Sequence, residues 1–104
     1  MINFDNSLDF NKLINDNKFI IFDFSLKNCP RCEILKNNLL KLDSNILVYY
    51  VQVEDNMKLV RKLNIYASPC IQIYSNSKLV YRNLGTFDFN EIINIINEYE
   101  KIEV

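Results

Sequence analysis

The chain has 104 residues, with 12 Lys+Arg against 13 Asp+Glu, three cysteines, one glycine, and neither histidine nor tryptophan. That length supports one domain, 1–104, and an apolar fraction of 49% fills its core without disulfide staples. A net charge of −1 argues against nucleic-acid binding, the missing histidine removes Ser–His and Cys–His nucleophile pairs, and a lone glycine removes Gly-rich phosphate cradles, which leaves thiol chemistry.

Residues 1–20 carry Asp5, Asp9, Lys12, Asp16 and Lys18 among apolar positions, which does not suit a signal peptide. No stretch approaches the length of an uncharged membrane span, so no membrane contact is expected. Three cysteines cannot all pair within one chain, so a reducing, cytoplasmic setting is expected.

In chain order, Ile2–Phe4 is a short strand, and Ser7 is placed to cap a helix running to about Asn15. Phe19-Ile20-Ile21-Phe22-Asp23-Phe24 is an almost unbroken apolar run, the pattern of a strand covered on both faces. The spacing of Leu35, Leu39 and Leu42 predicts a helix from about Pro30 to Leu42. Ile46–Val53 is a second buried strand, and Asn56–Leu63 a short helix with Met57, Val60 and Leu63 inward. Ile71–Tyr74 and Leu79–Tyr81 pair as a hairpin through Ser75-Asn76-Ser77-Lys78. A last helix runs from Phe89 to about Glu100, with Ile92, Ile95, Ile96 and Tyr99 on one face. The order βαβαβα-ββα predicts an α/β fold, a mixed central sheet with helices on both faces.

Cys29-Pro30-Arg31-Cys32 carries the chemistry. It follows a buried strand and opens a helix, with Cys29 at the N-cap and Pro30 at the first helical position, where a missing N–H costs nothing. Free N–H groups and the helix dipole favour an anion there, so a thiolate at Cys29 is stabilised, and Arg31 adds a positive charge. Cys32 lies one turn on, close enough to form a small reducible disulfide with Cys29. A metal site competes, because C-x-x-C is half of a zinc site. With no histidine, Cys70 offers only a third ligand, so a carboxylate or a second chain must complete the set.

With these residues in order, the chain resembles the thioredoxin family over essentially its whole length. Asp23 stands six residues before Cys29, where the family keeps a buried aspartate. Ser68-Pro69 precedes the fourth strand, where the family has a cis-proline facing the disulfide, and Gly85 ends the fifth strand like the family's glycine near the site. The resemblance implies a thioredoxin fold, about five strands flanked by about four helices. It implies a thiol–disulfide oxidoreductase that reduces protein disulfides, with Cys29 as nucleophile and Cys32 as resolving thiol. Asp23, its pKa raised by burial, takes a proton from Cys32. Pro30, Arg31, Pro69, Gly85 and the Ser68 backbone line the substrate site. No cofactor beyond the Cys29–Cys32 pair is implied, and no metal. The partners implied are disulfide-containing proteins and an external reductant, thioredoxin reductase or glutathione, acting on a monomer.

The departures are specific. The family's tryptophan is absent, and Ser25 and Asn28 occupy its usual aromatic positions. Proline directly after the first cysteine is glutaredoxin-like, so glutathione-dependent turnover is an alternative, although the Gly-Gly pair of a glutathione site is reduced to Leu84-Gly85-Thr86. Tyr50 replaces the lysine that usually neighbours the aspartate, and Glu33 opposes the effect of Arg31. The lost aromatics and Cys70 also leave open a non-catalytic adaptor or metal-holding module. Cys70 is either an extra redox thiol beside Pro69 or a small buried hydrophobe. Tyr49, Tyr50, Tyr66, Tyr74 and Tyr81 are expected to pack in the core and on the sheet rather than form a stacking surface.

Overall fold

A computed structural model describes residues 1–100. Along the chain lie β1 (Ile2–Asn3), α1 (Phe10–Asp16), β2 (Phe19–Ser25), α2 (Pro30–Leu39), β3 (Val48–Gln52), a 3-10 turn (Val53–Asp55), α3 (Met57–Lys62), β4 (Cys70–Ser75), β5 (Lys78–Leu84) and α4 (Phe89–Tyr99). The sheet order is β1-β3-β2-β4-β5. β3 pairs in parallel with β1 and β2, whereas β4 is antiparallel to both β2 and β5.

The apolar run of β2 explains its central place. All seven of its residues are buried, because both faces of the strand are covered. Ile20, Phe22 and Phe24 point into a layer closed by Phe10 and Ile14 of α1 and Val60 of α3. Phe19 and Ile21 point into the other layer, with Leu35 and Leu39 of α2 and Ile92 and Ile96 of α4. In the first layer the Phe10 ring lies 4.5 Å from that of Phe22, and Tyr49 stacks on Phe22 at 5.9 Å.

Several boundaries differ from expectation for local reasons. Asp9, not Ser7, caps α1, accepting the Lys12 N–H at 3.1 Å. Ser7 is drawn into a turn on the Asp5 carboxylate, which accepts from both its N–H and its hydroxyl. α2 ends at Leu39 rather than Leu42, because the chain tightens there. The Lys41 and Leu42 N–H groups reach back only three residues, and the Asp43 carboxylate then turns the chain by accepting from the Asn45 N–H. In α3, Met57 is exposed and Val60 buried, while Leu59 and, just past the helix end, Leu63 pack against the layer. β5 is longer than expected, and the hairpin is closed by Asn76 and Ser77, both at positive φ (50° and 67°). Tyr99 ends α4 exposed, and Tyr66 is 84% exposed rather than packed on the sheet.

Candidate active site

β2 delivers the chain to the site and α2 carries it away. After Ser25 the chain leaves the sheet, and the Lys27 N–H donates to the Glu54 carboxylate at 2.8 Å. Asn28, at φ 54°, makes the left-handed turn that asparagine tolerates better than most residues. Cys29 is the extended N-cap of α2, and Pro30 opens the helix. The Cys29 sulfur accepts the Cys32 N–H at 3.3 Å, so it receives one of the unsatisfied donors of the helix start. The two sulfurs lie within disulfide distance, and the Cα atoms are 5.2 Å apart. Their exposure differs. Cys29 is half-buried, whereas Cys32, on the inner face of α2 with Leu35 and Leu39, is 3% exposed.

Asp23 lies on the face of β2 that α2 covers, with 0% exposure. The Ser25 hydroxyl donates to its Oδ1 at 2.7 Å, and Oδ2 has no partner. Burial pushes the Asp23 carboxyl up to about 7, with the Ser25 hydrogen bond and then the Lys36 charge pulling the other way. Tyr50 stands opposite Asp23 in the β2–β3 register, and the Lys36 ammonium lies 4.6 Å from the centre of its ring. The cation that the β3 position lacks is therefore supplied from α2.

The Ser68–Pro69 peptide is cis. The Ser68 hydroxyl lies 3.2 Å from the Cys32 sulfur and accepts the Leu26 N–H at 3.2 Å. The Pro69 carbonyl accepts the Gly85 N–H at 2.8 Å, and the Gly85 carbonyl accepts from the Arg31 guanidinium at 2.7 Å. Gly85 sits at φ 79°, and a Cβ there would come within 3.3 Å of the Ala67 Cβ, so the turn and the close approach both call for glycine. Cys29, Cys32, Pro30, Arg31, Ser68, Pro69 and Gly85 thus meet where α2, the loop before β4 and the end of β5 converge, with Asp23 beneath α2.

Cys70 is not brought to this group. It packs with Phe22 and Phe24 in the α1/α3 layer, on the opposite side of the sheet from α2. It is fully buried, and burial pushes its thiol up to about 11 although Arg82 pulls it down. Among the described residues no three Cys, Asp or Glu side chains gather as a metal site. None of the described helices is long and apolar enough to cross a membrane.

Three contributors escaped the sequence. Lys36 and Glu54 carried no motif. Ser25 stands out in the sequence only for the aromatic it replaces, although two-residue alternation along β2 puts it on the same face as Asp23.

A C-x-x-C pair at disulfide distance, set where a mixed sheet meets a helix start, defines a thiol–disulfide oxidoreductase. The family model described as Thioredoxin matches residues 2–98, and the chain belongs to the thioredoxin family. Its fold is shared by a mutant thioredoxin of Halobacterium salinarum (TM-score 0.83, 17% identity, 99% of this chain and 93% of that one). It is shared also by thioredoxin f2 of Chlamydomonas reinhardtii (0.82, 20%, 99% of both chains). The oxidised thioredoxin of Plasmodium falciparum is similar too (0.79, 21%, 97% of this chain and 99% of that one). No curated protein sequence matches. Family and dithiol together make the chain a thiol–disulfide oxidoreductase, which by its chemistry takes disulfide substrates and needs a reductant.

Proposed function

We propose that the chain reduces protein disulfides in a reducing, cytoplasmic compartment, acting as a monomer with no bound cofactor. The unequal exposure of the two sulfurs carries this reading: Cys29 is open to a partner and Cys32 is not. The Cys29 thiolate attacks one sulfur of a substrate disulfide, forms a mixed disulfide, and expels the other substrate sulfur as a thiolate. Cys32 gives its proton to the Asp23 carboxylate, directly or through water, and attacks the Cys29 sulfur. The Cys29–Cys32 disulfide forms and the second substrate sulfur leaves. An external dithiol or thiol then returns two electrons to the pair.

Asp23 suits the proton step, since a carboxyl near 7 takes and returns a proton at neutral pH. Pro30, Arg31, Pro69, Gly85 and the Ser68 backbone border the pair and form the ground on which a substrate peptide rests. Cys70 is a packing residue in this reading. The test is trapping: Cys32→Ser accumulates mixed disulfides with partner proteins and Cys29→Ser does not. Equal trapping by both reverses or removes the roles. Parallel assays with thioredoxin reductase and with glutathione identify the donor, and Pro30 is the residue that favours glutathione.

A further inference from the structure

The Ser68 side chain has no part in the steps above, yet it touches a reacting atom. Its oxygen lies 3.2 Å from the Cys32 sulfur, accepts the Leu26 N–H at 3.2 Å, and lies 3.4 Å from the Phe24 carbonyl. A hydroxyl has one proton to donate. The Leu26 N–H holds the oxygen in place, so the remaining choice is where that proton points. A disulfide sulfur is a weak acceptor, and the Phe24 carbonyl takes the proton in the oxidised state. A thiolate is a much stronger acceptor, because hydrogen bonds to charged groups are about twice as strong as neutral ones.

We propose that Ser68 is a catalytic residue whose hydroxyl turns from the Phe24 carbonyl to the Cys32 sulfur whenever that sulfur becomes a thiolate. When a reducing thiolate attacks the Cys29 sulfur, the new bond joins reductant and Cys29. The Cys29–Cys32 bond breaks, and its electron pair goes to the Cys32 sulfur. The Ser68 O–H then donates to that leaving group, and no heavy atom has to move. Cys32 is nearly sealed from solvent, so water cannot readily supply this hydrogen bond. A better-stabilised leaving thiolate departs faster. When Cys32 attacks a mixed disulfide the same contact raises its thiolate fraction but lowers its nucleophilicity, so the effect on that step is smaller.

The inference rests on the reactive pair of the proposed function, but dithiothreitol tests it without any protein substrate. The measurement is the rate at which dithiothreitol reduces the oxidised protein, compared among wild type, Ser68→Thr, Ser68→Val and Ser68→Ala. Threonine and valine have the same shape and differ in the hydroxyl, so their ratio holds even if the alanine variant fails to fold. Ser68→Thr is expected within about threefold of wild type, and Ser68→Val and Ser68→Ala about tenfold slower, as loss of a charge-assisted hydrogen bond requires. Equal rates for the threonine and valine variants overturn the proposal. Wild type is also assayed on an insulin-type disulfide. Failure there refutes the proposed function alone, and the threonine–valine ratio still decides the role of Ser68.

Discussion

Asp23→Asn should stabilise the folded protein in a way that depends on pH. In the folded state the Asp23 carboxyl stands at about 7, against an ordinary value of 3.8. A raised acid holds its proton more tightly when folded than when unfolded. Its neutral form contributes fully below 3.8, and the advantage is lost as pH rises, because the unfolded chain ionises first. The shift of about three units corresponds to about 4 kcal/mol, an upper figure reached only above pH 7. Asparagine keeps the Ser25 hydrogen bond and cannot ionise, so it mimics the protonated acid. Urea unfolding of the oxidised proteins, which keeps Cys29 and Cys32 out of the titration and leaves Cys70 common to both, is measured from pH 4 to pH 8.5. The two proteins should be nearly equal in stability at pH 4, and the variant should gain steadily to about 2–4 kcal/mol by pH 8.5. A difference that stays flat across this range refutes the raised carboxyl. The same variant should resolve mixed disulfides more slowly, so stability and turnover move in opposite directions.

Lys36→Met removes the cation that favours ionised Asp23, so the rising limb of the pH–rate profile should move to higher pH, and an unmoved limb counts against the coupling. Gly85→Ala forces a left-handed φ on a side chain and presses its Cβ toward Ala67, so denaturant unfolding should show a loss of about 1–2 kcal/mol. Cys70→Ala should leave insulin-type reduction within twofold of wild type and cost about 1 kcal/mol of stability, whereas a tenfold loss of activity would return Cys70 to the redox chemistry. Asp9→Ala removes the α1 cap and should cost about 1 kcal/mol in thermal or urea unfolding, with dithiol activity unchanged.

Where pattern and chemistry coincide, the sequence predicted the fold well. The run Phe19–Phe24 announced a doubly covered strand, and Cys29-Pro30 marked the start of a helix. Boundaries failed where a nearby side chain competed for the same backbone groups. Asp5 claimed Ser7, so the cap of α1 passed to Asp9, and the turn at Asp43 helped cut α2 short. The surroundings of the dithiol were harder to foresee, because they depend on which distant residues meet. Tyr50 in place of lysine suggested a carboxyl left without a cation. Only the packing of α2 over the β2–β3 pair brings Lys36 to that position.

Cys70 turns on a similar point. It directly follows Pro69, which borders the pair, but successive residues of a strand face opposite ways. Ser68 lies before β4 and across the cis peptide, outside the strand's alternation, and puts its hydroxyl on the Cys32 sulfur, while Cys70, the first residue of that strand, points into the layer beyond the sheet. Nearness along the chain therefore favours the wrong thiol as a third participant. The side chain that reaches the buried sulfur belongs to a serine, which cannot exchange disulfides but can stabilise the charge that exchange places on Cys32.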